Sequence, residues 1–66
     1  MNSKEIVQAM TDRSPVQAKG VVFDYIIEYV LTIDERGQQR RSAVLLDKAS
    51  NSTMRVPIDQ VETAEK

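Results

Sequence analysis

The sequence predicts a mainly β domain: a small, strongly bent antiparallel sheet or partly closed barrel of about five strands, with a short N-terminal helix. Three observations predict it. The longest apolar run, "VVFDYIIEYVLTI" from Val21 to Ile33, holds ten β-branched or aromatic residues among its thirteen. Those types lose χ1 freedom in a helix and pack well on a pleated surface. "DERG" follows at once, with Asp34 and Gly37 at the first and fourth positions of a type I turn and Gly37 able to take the αL bulge position. Beyond it, "KASNS" and "PIDQV" punctuate further short apolar stretches.

The helix is placed over residues 2–12. Asn2 can cap it, and Glu5 sits at capping-box spacing. Ile6, Val7 and Met10 share one face, so so short a helix must dock on the β core to persist. Pro15 disfavours αR at Ser14 and ends it. "PVQA" reads as a short first strand and "KG" as a turn into the long run.

Read as a strand, the long run puts Val21, Phe23, Tyr25, Ile27, Tyr29, Leu31 and Ile33 on an apolar core face. Val22, Asp24, Ile26, Glu28, Val30 and Thr32 form the other face. The return strand covers Gln38 to about Asp47. With a Glu35-Arg36-Gly37 loop, Asp34 pairs with Gln38, Thr32 with Arg40, Val30 with Ser42, Tyr29 with Ala43, Glu28 with Val44, Ile27 with Leu45 and Asp24 with Lys48. A four-residue loop would shift the register by one and turn Val44 inward. The turn chemistry and the Asp24–Lys48 pair favour the first. "STMRV" is the next strand, with Met54 and Val56 inward, and Pro57 begins a tight turn into a last strand around Gln60 to Thr63.

A strand of thirteen residues is about twice the usual length. In so small a domain it must curve and can serve both halves of a barrel. That is the architecture of SH3-like and Sm-like barrels; an open sheet with the helix across it is the alternative. The chain reads as one domain, residues 1–66, with the barrel over 15–63 and a frayed tail over 64–66.

"SPVQAKGVVFDYI" together with "SAVLLDKASNS" resembles a group of small proteins encoded in phages and mobile elements of Gram-positive bacteria. The resemblance runs from about Ser14 to Val61 and consists of framework residues: a turn glycine, core aromatics and the "LLDK" corner. It implies an SH3-like fold and brings no catalytic residue with it.

Composition narrows the function classes. No cysteine or histidine is present, which removes disulfides, thiol nucleophiles, the usual zinc ligands and the usual near-neutral base. Nine basic and ten acidic residues leave a net charge of −1, less basic than a dedicated DNA binder. No apolar h-region follows Lys4 and Glu5, and the Val21–Ile33 run is too short and too charged to span a membrane. The expectation is a soluble, cytoplasmic, non-enzymatic protein with no cofactor and no metal.

Candidate sites follow from what remains. Asp24 and Glu28 could form an acid/base pair, but on one strand they stand about 13 Å apart, beyond the separation such pairs use. They read instead as markers of the solvent face that pair with Lys48 and nearby arginines. Arg36, Arg40, Arg41 and Lys48 could hold nucleic-acid phosphates, although Asp34 and Glu35 offset the tip, and Arg40 and Arg41 point to opposite faces. Phe23, Tyr25 and Tyr29 are core residues before they are a stacking platform, with a tyrosine hydroxyl at the core edge as the exception. Val22, Ile26 and Val30 form an apolar strip for a protein partner unless the helix covers it, and open strand edges add a second route. The favoured function is an interaction module for a protein partner; the alternative is a nucleic-acid-binding barrel using the hairpin 36–41.

Overall fold

The structure, a computed structural model, describes residues 1–64. Helix α1 spans Ser3–Asp12 and begins with the anticipated capping box. Glu5 N–H donates to Asn2 Oδ1 at 2.8 Å, and Asn2 N–H donates to Glu5 Oε1 at 3.1 Å. Its end is a Schellman arrangement: Arg13 N–H donates to Met10 O, and Ser14 N–H to Ala9 O. Arg13 takes the left-handed position at φ +54°, where glycine is usual. The buried face is Ile6 and Ala9 with Met10 beside them. Val7, expected on that face, is 44% exposed.

Six strands follow: β1 Val16–Ala18, β2 Val21–Phe23, β3 Tyr25–Ile33, β4 Gln39–Asp47, β5 Ser52–Pro57 and β6 Glu62–Thr63. They form two antiparallel three-stranded sheets, ordered β2-β1-β6 and β3-β4-β5, whose ladders do not close into one barrel. The long run does contribute a strand to each of the two sheets. It bends at Asp24, so β2 belongs to the first sheet and β3 to the second. Asp24 N–H still donates to Leu46 O at 2.8 Å, and its carboxylate accepts from Lys48 N–H at 2.7 Å. The expected side-chain pairing of Asp24 with Lys48 is thus a side-chain-to-backbone bond instead.

The turns follow their chemistry. Lys19 and Gly20 both have positive φ between paired Ala18 and Val21, as a type I′ hairpin requires. In the β3–β4 loop Gly37 N–H donates to Asp34 O, and Asp34 N–H to Gln38 O, both at 3.0 Å. Asp34 Oδ1 also accepts from Arg36 N–H and Gln38 N–H, each at 2.9 Å. Gly37 sits at φ +79°. The three-residue loop is therefore the one formed. In the β4–β5 turn Asn51 takes φ +54° while the Asp47 side chain accepts from Ala49 N–H and Ser50 Oγ.

The register agrees with expectation from Thr32–Arg40 through Glu28–Val44. It then departs, because a bulge at Ile27 leaves Ile26, not Ile27, opposite Leu45. The extra residue adds the local twist that a strand shared by two sheets needs. Side-chain parity breaks twice as a result, at the Asp24 bend and at the Ile27 bulge. Phe23 and Tyr29 face the core as odd positions, while between the breaks the even residue Ile26 does. Ile26 is only 1% exposed, and Ile27 turns out to 44%.

Both sheets and the helix close on one core, to which β1 gives Val16 and Ala18, β4 gives Ala43 and Leu45, and β5 gives Val56. Met54, expected inward, is partly open at 37%. The expected tight turn after Pro57 is a 3-10 helix, Ile58–Gln60, and buried Val61 follows it. The Met1 amino group donates to Ile58 O and Val61 O, each at 2.8 Å. Ala64, expected in a frayed tail, donates its N–H to Pro15 O at 3.3 Å; the rest of that tail lies outside the described residues. Among the described residues no helix is long and apolar enough to cross a membrane.

Candidate interaction surface

The β3-β4-β5 sheet turns one face to the core and one away from it, and the register assigns each side chain. Ala43, Leu45 and Val56 are buried, so their strand neighbours occupy the outer face. The outer rows are Tyr25–Leu46–Thr53, Glu28–Val44–Arg55, Val30–Ser42–Pro57 and Thr32–Arg40. Ile27 shares the row of Glu28, since both stand against Val44 across the bulge. Tyr25, Val30, Val44 and Leu46 are half-buried, and Ile27 is exposed. The helix meets this sheet chiefly along β3 and buries Ile6 and Ala9 on the core side.

Tyr25 carries two cations. The Arg13 guanidinium lies 5.2 Å and the Lys48 ammonium 5.1 Å from its ring centroid. Both distances are within cation–π range. Arg13 is also the residue whose left-handed backbone closes α1. A depression of about 290 Å³ lies beside it, lined by Met10, Arg13, Tyr25, Ile26 and Ile27.

The far end of the β3–β4 hairpin is a different environment. The β4–β5 ladder ends at the Ser42–Pro57 pair, so Gln39–Arg41 have a strand neighbour on one side only. An open groove of about 620 Å³ runs between that edge and the 3-10 helix, lined by Gln39, Arg40, Arg41, Ile58 and Asp59 among others. Leu31 and Ile33 face the core side here but extend past it, at 52% and 65% exposure.

The nominated residues are therefore dispersed. Val22 is 57% exposed on β2, Ile26 lies in the core, and Val30 lies on the outer face of the other sheet. The two parity breaks divide the expected strip, and Ile26 offers no surface. Arg36, Arg40 and Arg41 are exposed around the tip, whereas Lys48 is at the opposite end beside Tyr25. Arg40 and Arg41 do point to opposite faces. Arg40 Nε is 3.7 Å from Asp34 Oδ2, the one ion pair among the described residues. Arg41 Nη1 instead donates to Ser3 Oγ at 3.0 Å, where Tyr29 OH also donates at 2.8 Å. Tyr29 is the core-edge hydroxyl that was anticipated. Phe23 is core, while Tyr25 leaves the expected core face because the bend reverses its parity. Asp24 and Glu28 are both exposed, Asp24 at the bend and Glu28 beside the bulge.

Sequence reasoning missed Arg13 and Arg55. Nothing in "TDRSP" signals a left-handed cap, since the residue there is not glycine. Arg55 was readable, because it alternates with inward Met54 and Val56, but it acquires meaning only once Val44 is known to stand beside it. No family model, curated protein or solved structure matches the chain.

Proposed function

We propose that the protein is a non-enzymatic interaction module that binds a protein partner through a sheet edge or an exposed apolar strip. The observation that carries this reading is β3. It is an edge strand of its sheet, and it leaves Ile27 exposed at the bulge and Leu31 and Ile33 exposed on the core side beyond the packed residues. Natural edges are usually blunted by charge, proline or a covering element, and an apolar one invites pairing. The element order also supports the finer architectural reading. A helix, a short strand, a long bent strand, two more strands, a 3-10 turn and a closing strand is the plan of an SH3-like or Sm-like barrel. We take the two sheets as the halves of such a barrel.

The test is sedimentation velocity over a wide concentration range, with partner capture from the native host, on the full chain and on a Leu31→Lys/Ile33→Lys variant. Both positions are exposed, so the variant keeps the core. A concentration-dependent mass or a captured protein, lost in the variant, supports the module. A monomer at every concentration with no variant-sensitive partner overturns it. Salt-dependent retention of single-stranded DNA, weakened by Arg40→Ala, would replace it with the nucleic-acid reading.

A further inference from the structure

We propose that the open edge of β4 at Gln39–Arg41 takes an extended segment of a partner protein as a further strand, in the track that β5 leaves at Pro57. The proposal deepens the interaction-module reading and rests on it, and it names a second edge beside that of β3. Two observations carry it: the direction of the backbone groups on β4 and the groove onto which they open.

In an antiparallel ladder, successive residues of a strand point their N–H and C=O to opposite sides, so bonded and non-bonded pairs alternate. Asp34 N–H donates to Gln38 O, which makes Asp34–Gln38 a bonded pair of the β3–β4 ladder. Thr32–Arg40 and Val30–Ser42 follow with the same parity. Ile33–Gln39 and Leu31–Arg41 are the non-bonded pairs between them. Gln39 and Arg41 therefore direct their N–H and C=O away from β3, to the side on which β5 would lie. Pro57 is an independent check on this parity. It stands opposite Ser42, whose groups point to β3, and a residue without an N–H fits that position at no loss. Beyond it, the N–H and C=O of Gln39 and Arg41 have no backbone partner among the described residues.

These groups open onto the groove of about 620 Å³ whose other wall is Ile58 and Asp59. At sheet spacings a strand residue takes up about 160 Å³, so the groove holds about four extended residues. The chain does not fill it, because after Pro57 it turns into the 3-10 helix and buries Val61 in the core. Charge does not choose the occupant. Arg40 stands by Asp34, Arg41 donates to Ser3 Oγ, and Asp59 lies on the opposite wall. The backbone is what selects, and alternating donors and acceptors match an extended polypeptide, as in β-strand addition. Single-stranded nucleic acid has no such alternation, and no aromatic ring lines the groove for its bases to stack on. A second copy pairing both residues through the same edge would set the two Arg40 side chains opposite each other, which like charges disfavour. The occupant is thus an extended segment of a different protein.

The test is an amide-shift titration of the full chain with designed probes. One is a threonine–valine peptide of about seven residues, N-methylated at alternate positions, which keeps one hydrogen-bonding edge and cannot stack on itself. The second is the same peptide N-methylated throughout, and the third is an oligothymidylate. The first is expected to shift Gln39–Ser42 and Ile58–Asp59 and to slow exchange at the Gln39 and Arg41 amides, with the second at least about tenfold weaker. Gln39→Pro removes one N–H at an exposed strand start, where proline is tolerated, and is expected to weaken the first peptide by about fivefold or more. Arg41→Ala keeps the backbone and is expected to leave the affinity within about twofold. Unmoved core amides of Ala43 and Leu45 show that each variant is folded. Equal binding of the two peptides, a larger loss from Arg41→Ala than from Gln39→Pro, preference for the oligothymidylate, or no shift at all would each overturn the proposal. Shifts along β3 instead would overturn it while keeping the interaction module, as would capture of a partner by a chain whose β4 edge takes no peptide. Peptide binding at β4 by a chain whose captured partner is insensitive to Leu31→Lys/Ile33→Lys would support this site and remove the β3 edge alone.

Discussion

Leu45 and Leu31 lie on the same face of the same hairpin. Leu45 is fully buried, and Leu31 is 52% exposed. Nothing in the alternation separates them. What differs is the company each keeps. At the near end, β4 has β5 on its other side and α1 over the core face, so Ala43 and Leu45 are closed in. At the far end β5 has already turned away at Pro57 and α1 has already begun at Ser3, so Leu31 and Ile33 reach past every neighbour. Burial in so small a domain is set by where the third strand and the helix end, not by the pattern of the strand itself.

The largest expected effect contrasts those two leucines. Leu45→Ala should cost about 3 kcal/mol, the transfer loss plus an unrelaxed cavity. Leu31→Ala should cost under about 1 kcal/mol, as an exposed substitution does. A domain of this length has about 3–10 kcal/mol in total, so the first variant should lose a large share of its stability. Urea midpoints of the two variants measure the contrast. Similar shifts for both would mean that the far end is packed as tightly as the near one, and the comparison would fail.

The same contrast explains what the sequence reveals. Pairing through Tyr29–Ala43 and Val30–Ser42 follows from Asp34 and Gly37, because turn chemistry is local and propagates along a ladder. The bulge at Ile27 is hidden, because "DYIIE" satisfies alternation on either side of a one-residue slip. Its energetic reason lies in the curvature shared by two sheets, which no local pattern records. For the same reason Val22, Ile26 and Val30 looked like one strip and are three separate environments. Arg13, one of the two cations at Tyr25, holds a conformation that only glycine usually announces.

A smaller effect is expected from Gly37→Ala at the far tip. Gly37 has φ +79°, and an added Cβ would meet nothing within 4 Å. The cost is therefore backbone strain alone, about 1–2 kcal/mol. It should shorten the protected part of the hairpin from the tip inward, with amide exchange faster at Ile33–Leu31 and little altered ratios near Leu45. Uniform acceleration along β3 would show instead that tip and base open as one unit.

The smallest effect is expected at the ion pair. Arg40 and Asp34 stand 3.7 Å apart, and the Arg40 side chain is 73% exposed, so solvent screens most of their attraction. Arg40→Ala should cost under about 0.5 kcal/mol, and less still in high salt. Asp34→Ala should cost more, about 1 kcal/mol, because its Oδ1 also accepts from Arg36 N–H and Gln38 N–H and so holds the loop. Comparing the two single variants with the double separates the roles. If the hairpin tip is held by its turn, Asp34→Ala dominates and adding Arg40→Ala changes nothing. Equal single effects that vanish together at high salt would make charge the organiser of the far end, and the division between a packed base and a turn-held tip would have to be redrawn.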